Sequence, residues 1–205
     1  MDEIGAMVER HQELKSCSDD VHSALEILLI SYRAGHKLLL CGNGGSAADC
    51  EHIAGELVKS FYRERPLTPE LASELGPELA ENLHGSLPAI PLPSFSAFHT
   101  AFANDDDPQF AFAQQVLGLG KPGDVLLAIS TSGNSANVLH AARTAKATGL
   151  RVIGLTGESG GKLAPLCDVA VCVPATEVAR IQELHLPVYH ALCQMIEDAI
   201  FGQDG

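Results

Sequence analysis

The chain has 205 residues, 46% of them hydrophobic, enough to bury one substantial core, and its length fits one domain with an appended helical segment better than two domains. A formal charge of -13 excludes an extended nucleic-acid surface, because phosphate contacts need clustered Lys and Arg; an anionic ligand has to be held by local donors. No apolar run approaches a membrane span, and the opening residues Met1-Asp2-Glu3-Ile4 are acidic where a secretory signal is basic, so a cytoplasmic protein with no membrane and no nucleic-acid partner is expected.

Residues 1–34 carry helical spacing, with Val21, Leu25, Leu28, Leu29 and Tyr32 on one face before a stop at Gly35. This predicts an N-terminal helical arm that packs on the domain or on another subunit. Beyond it, apolar stretches at 37–41, 89–92, 124–129, 151–156 and 169–173 alternate with helical segments. The alternation predicts an α/β domain over 35–205, a three-layer αβα sandwich with a central parallel sheet of the flavodoxin-like or Rossmann-like kind. Ligands of such sheets sit at the C-terminal strand ends, near the switch in strand order. The two polar turns, 42–46 and 130–135, both fall at such ends.

The first turn reads Cys41-Gly42-Asn43-Gly44-Gly45-Ser46. A dinucleotide fingerprint would need glycine where Ala47 stands, so the turn points instead to a phosphate or a sugar. The helix after it carries His52 and Glu56, four residues apart and on one face. The pair could bind one metal ion or act together on a substrate; a solvated surface pair or a capped core histidine would have the same spacing. Between 66 and 88 the chain is broken by Pro66, Pro69, Pro77 and Pro88 and carries acidic residues at 70, 74, 78 and 81. This insertion predicts a long loop holding one short acidic helix over 69–83, a lid or an interface element.

The most informative stretch is Leu126-Leu127-Ala128-Ile129-Ser130-Thr131-Ser132-Gly133-Asn134-Ser135, an apolar strand that runs into a cluster of hydroxyls before a helix from Ala136. Hydroxyls and backbone N–H groups at a positive helix end suit a phosphate monoester, which predicts a sugar-phosphate pocket. A polar turn merely capped by Ser135 is the plainer alternative. The last helix contributes Arg180-Ile181-Gln182-Glu183-Leu184-His185 and then His190. Gln182 and His190 differ by about 80° around a helix, so both can reach one site from successive turns, or both can face solvent. Pro187 between them predicts a kink. The six cysteines, at 17, 41, 50, 167, 172 and 193, include no Cys-x-x-Cys pair, so neither a disulfide framework nor a zinc ribbon is indicated. Cys41 and Cys193 lie in apolar runs and are expected to be core thiols.

Taken together, Cys-Gly-Asn-Gly-Gly-Ser, His-x-x-x-Glu, Ala-Asn-Asp at 103–105, Ile-Ser-Thr-Ser-Gly-Asn-Ser, Leu-Thr-Gly-x-x-Gly-Gly and Arg-Ile-Gln-Glu-x-His, in this order, resemble the sugar isomerase (SIS) domain family, and within it the phosphoheptose isomerase branch. The resemblance runs from about Val21 to Phe201, apart from the insertion. It implies a homotetrameric aldose–ketose isomerase that converts sedoheptulose 7-phosphate to D-glycero-D-manno-heptose 7-phosphate, toward heptose nucleotides for surface glycans. Carried over by position, Ser130, Thr131, Ser132 and Ser135 would hold the phosphate, and Asn43, Ser46, Asn104, Asp105 and Gln182 would contact the sugar. His52, Glu56, Gln182 and His190 match a zinc site, one Zn²⁺ per subunit.

The implied reaction moves a proton between C1 and C2 through an enediol, which needs a base, an acid and a group that stabilises charge on oxygen. Glu56 is the expected base and His190 the expected acid or relay; both double as expected zinc ligands. Two positions depart from the pattern of the branch: Lys59-Ser60 stands where Gly-Arg is common, and Ala179 where Asp is common. The insertion, for example His84, could supply replacements or cover the pocket. Two rival readings remain: a noncatalytic phosphosugar-binding module similar to the DnaA initiator-associating protein, and a SIS domain acting on an amino sugar phosphate. The first is disfavoured by the presence of Glu56 and His190, the second by the Arg-Ile-Gln-Glu-x-His segment.

Overall fold

The computed structural model describes residues 3–202. Met1 and Asp2 of the acidic opening, and the last three residues of the expected domain, lie outside the described residues.

The arm is two helices joined by a tight turn. Helix α1 (Glu3–Arg10) carries Glu3 in its first turn and Arg10 in its last, matching the helix dipole, and buries Ile4 and Met7. A 3₁₀ turn at Gln12–Cys17 leads into α2 (Ser18–Arg33), which buries Val21, Ala24, Leu28, Ser31 and Tyr32. The expected face is therefore present, with Leu25 and Leu29 half-buried along its border. Gly35, at φ +79°, makes the stop that an L side chain would resist. The arm packs on its own domain: Ile4, Met7, Leu14 and Val21 belong to the same core as strand residues Leu38 and Leu127.

All five strands pair in parallel: β1 (Leu38–Cys41), β2 (Ala89–Pro91), β3 (Val125–Ser130), β4 (Arg151–Thr156) and β5 (Val169–Cys172). Their order, β2-β1-β3-β4-β5, is the flavodoxin-like one, and it reverses between β1 and β3. Alternate residues serve opposite cores, as the period of a strand requires. Leu38, Leu40, Leu127 and Ile129 meet the arm, α3 (Gly45–Val58) and α9 (Val178–Phe201), whereas Leu39, Cys41, Leu126 and Ala128 meet α7 (Ala111–Leu119) and α8 (Ala136–Ala147). Cys41 and Cys193 are core thiols, as expected, and burial pushes both up to about 12. All six cysteines are free.

The insertion holds two short helices where one was expected, α4 (Pro69–Leu75) and α5 (Pro77–Asn82). Gly76, at φ +77°, separates them, and Pro77, which has no N–H to continue α4, opens α5. Neither helix has a buried residue. Helix α6 (Ser96–Asp105) is also without one, although it carries Phe98, Ala101 and Phe102. Helix α9 continues through Pro187 for its full 24 residues. Among the described residues no helix is long and apolar enough to cross a membrane.

One buried ion pair ties the end of α9 to the segment after α3. Arg65 Nε lies 2.7 Å from Glu197 Oε1, and both side chains are fully buried. Glu197 also accepts from the backbone N–H groups of Phe61, Tyr62 and Arg63 at 2.8–3.0 Å. Burial alone would raise the Glu197 carboxyl; these N–H donors and Arg65 outweigh it and hold the group below its ordinary value.

Candidate active site

The hydroxyl turn after β3 lies where the sequence predicts, but Ser135 does not cap α8. It occupies the N-cap position without a side-chain cap bond, and its Oγ instead accepts from Ser130 Oγ at 3.1 Å. Ser132 takes up the turn itself, accepting from the Asn134 N–H at 3.1 Å. Thr131 and Ser132 line a cavity of about 420 Å³ together with Asn134, Gly157, Glu158, Ser159, Ala175, Thr176 and Ile181. The Gly-rich segment after β4 closes against this turn: the Gly157 N–H donates to the Thr131 carbonyl and the Leu163 N–H to that of Gly133, both at 3.0 Å. Gly133 has φ +63°, and a Cβ there would strike the Gly160 carbonyl. Gly157 to Ser159 thus form a wall of the cavity, with Gly160 packed behind them against Gly133, a role visible in the sequence only as a glycine cluster.

The turn after β1 sits at the sheet's switch point. Asn43 and Asn137, the latter at the start of α8, exchange two amide hydrogen bonds at 2.9 and 2.8 Å. Ser46 is buried in the first turn of α3, and its N–H donates to the Asn43 carbonyl at 3.0 Å. Gln182 reaches this turn from α9: a Cβ on Gly45 would collide with its amide group, so glycine is what admits that side chain.

Further along the same two helices, His52, Glu56 and His190 meet. His52 Nε2 is 3.4 Å from Glu56 Oε1 and 3.4 Å from His190 Nε2. Glu56 is buried to 9% exposure, and its second oxygen accepts from Lys59 Nζ at 3.1 Å. Desolvation and the neighbouring His52 push His190 below its ordinary value, with Glu56 opposing them. Two atoms bound to one zinc ion at about 2.0–2.1 Å and at the tetrahedral angle stand about 3.4 Å apart, so both separations from His52 match edges of a zinc tetrahedron. The donor types match as well, although among the described residues no group of three or more His, Cys, Asp or Glu side chains is arranged to hold a metal ion as it stands. The surface-pair alternative for His52 and Glu56 is set aside by the burial of Glu56 and by the arrival of His190 from α9.

Asn104 and Asp105 are not brought to this region by the chain itself. They lie exposed at the end of α6, hydrogen-bonded to each other at 2.8 Å. His84 is also apart, in a hollow that the insertion makes with Glu64, Arg65 and Leu67. Two residues of the cluster escaped the sequence reading. Tyr189 OH lies 3.0 Å from His52 Nδ1 and donates to Asp49 Oδ1 at 3.3 Å. Asp49 stands one helical turn before His52, and that spacing was its one available signal.

The SIS domain model matches residues 1–157. The chain belongs to the SIS domain family. Its relatives place it in the phosphoheptose isomerase branch of that family: it is 42% identical to a phosphoheptose isomerase of Rhodospirillum rubrum over 91% of this chain and 89% of that one. It is 41% identical to one of a Roseiflexus species over 99% and 94%. The solved phosphoheptose isomerase of Neisseria gonorrhoeae superposes with a TM-score of 0.77 at 35% identity, over 95% of this chain and 94% of that one. Within this SIS domain, Lys59 rather than Ser60 supplies a cation near Glu56; Ser60 Oγ is buried and has no hydrogen-bond partner. Ala179 is exposed in the first turn of α9.

Proposed function

We propose that this SIS-domain chain isomerises sedoheptulose 7-phosphate to D-glycero-D-manno-heptose 7-phosphate. The observation that carries the reading is the meeting of His52, Glu56 and His190 on α3 and α9, the helices whose N-terminal turns hold the candidate sugar contacts Ser46 and Gln182. At 1.5 Å per residue, His52 lies about 9 Å along α3 from Ser46, so a chain-like phosphosugar anchored at the turns reaches the cluster with its carbonyl end.

In this reading Ser130, Thr131, Ser132 and Ser135 take the phosphate, and Asn43, Ser46 and Gln182 orient the sugar hydroxyls. Glu56 removes a proton from C1, and the same proton returns to C2. His190 relays the hydroxyl proton between O1 and O2, so the enediol forms and collapses without net proton uptake. His52, Glu56, Gln182 and His190 would hold a zinc ion, which when bound supplies Lewis-acid charge beside the carbonyl. A Glu56 or His190 engaged on the metal is not free as base or acid, and the experiment separates these roles.

The reading extends to a homotetramer working in the cytoplasm. Its support is helix α6, which carries Phe98 and Phe102 half-buried and no fully buried residue, and whose exposed Asn104 and Asp105 could contact sugar only if subunit packing brings them to a pocket.

The test follows conversion of sedoheptulose 7-phosphate by NMR with added Zn²⁺, after chelation, and in Glu56→Gln and His190→Ala. Turnover that needs both side chains supports the isomerase, and loss on chelation assigns them to the metal. Binding of the phosphosugar with no turnover under any condition would replace this reading with a sensing module.

A further inference from the structure

The α3–α9 cluster contains a hydrogen-bonded chain that no step above uses. Asp49 Oδ1 accepts from Tyr189 OH at 3.3 Å, and Tyr189 OH lies 3.0 Å from His52 Nδ1. A phenol has one proton. Given to Asp49, it leaves only oxygen lone pairs facing His52, so Nδ1 of His52 must carry a proton and donate it. The neutral ring then has its lone pair on Nε2, the atom 3.4 Å from both Glu56 Oε1 and His190 Nε2. The surroundings hold this geometry firmly. Tyr189 is 2% exposed, and Asp49 Oδ2 is buried with no hydrogen-bond partner, so the carboxylate's one bond is the one to Tyr189.

The geometry points to Tyr189 and Asp49 as positioning residues that fix the tautomer of His52, keeping Nε2 unprotonated and aimed at the point where Glu56 and His190 converge. With His52 Nε2 unprotonated beside Glu56 Oε1, these two acceptors repel unless His190 Nε2–H or a cation lies against them, so a cation can take the place that a proton on His190 otherwise fills. It rests on the reading of His52 as a zinc ligand. Groups that orient a ligating imidazole through its second nitrogen typically change metal affinity by about 10–100-fold when removed.

The test uses the purified full chain. Two-bond ¹H–¹⁵N correlation spectra of the metal-free protein at neutral pH read the His52 tautomer directly, with assignment by His52→Gln. Zinc affinity is read separately by competition with a chromophoric chelator. The wild type is expected to show the Nδ1–H tautomer. Tyr189→Phe, which keeps the buried ring, and Asp49→Ala are expected to populate the Nε2–H form and weaken zinc by about 10–100-fold. Asp49→Asn, whose amide oxygen still accepts from the phenol, is expected to stay near wild type in both readouts. An Nε2–H tautomer in the wild type, or an unchanged tautomer in Tyr189→Phe, overturns the inference whatever the metal result. A wild type that shows the expected tautomer but binds no zinc instead overturns the metal reading and leaves the orienting role standing.

Discussion

Arg65 and Glu197 are joined inside the protein 132 residues apart in sequence, and the same guanidinium closes the last turn of α3 by donating to the Glu56 carbonyl at 2.8 Å and to that of Leu57 at 2.6 Å. Helix C-termini leave carbonyls without partners, and here a buried cation satisfies two of them. The ion pair therefore supports the backbone that carries Glu56. Glu197→Gln should leave Arg65 charged and unbalanced in the interior, at a cost of about 3–5 kcal/mol. Urea titration followed by circular dichroism measures it; a loss below about 1 kcal/mol would show that the pair carries little of the fold.

His185 gives the fold an acid limit. The ring is fully buried, neither nitrogen has a hydrogen-bond partner, and desolvation pushes the group down to about 4, with the Thr156 backbone opposing. The unfolded chain takes up a proton near pH 6.5 and the folded one only near pH 4, so stability is complete above about pH 6.5 and falls as the pH drops toward 4. The loss across that window is about 3 kcal/mol. Comparing the pH dependence of unfolding free energy in wild type and His185→Leu checks this; equal slopes between pH 4 and 6.5 would rule it out.

Gly133→Ala should damage the proposed phosphate turn more than the fold. The added methyl meets the Gly160 carbonyl at a left-handed backbone position, which alone costs about 1–2 kcal/mol. The expected result is a folded protein with phosphosugar affinity reduced at least about tenfold, one decade per 1.4 kcal/mol. Calorimetric titration reads it, and unchanged affinity would remove the turn from the binding site.

Replacing residues 68–83 with a short Gly-Ser linker should leave both stability and catalysis nearly unchanged. Helices α4 and α5 bury nothing, and Arg65, which does support the site, precedes them. A fall in kcat/KM of more than about tenfold, or 1.4 kcal/mol, would instead make the insertion part of the pocket.

Much of this architecture is legible in the sequence because it depends on local pattern. The strands at 37–41, 89–92, 124–129, 151–156 and 169–173 announce themselves by apolar runs between helical segments, and their observed bounds differ by one residue at most at either end. The hydroxyl turn is legible for the same reason. What the sequence hides is tertiary. Nothing in the spacing of Arg65 and Glu197 marks them as partners, and Tyr189 reads as an ordinary core aromatic until α9 lies against α3. The division of the insertion into two helices was available in Gly76-Pro77, where a helix cannot run on. The role of Ser135 was not: a cap and a phosphate contact would use the same residue at the same place, and the hydrogen bond from Ser130 shows only that Ser135 makes no cap bond.

The paired amides of Asn43 and Asn137 bear on how fast and how tightly a ligand is taken up. Each side chain both gives and receives, so the rims on the two sides of the β1/β3 crevice are fastened together before anything binds. A guest arriving there does not have to spend its own contact energy on freezing loose loops, and more of that energy is left for holding it. Replacing either amide with a carboxylate would keep one of the two bonds and put two acceptors face to face across the other, loosening the fastening between the rims.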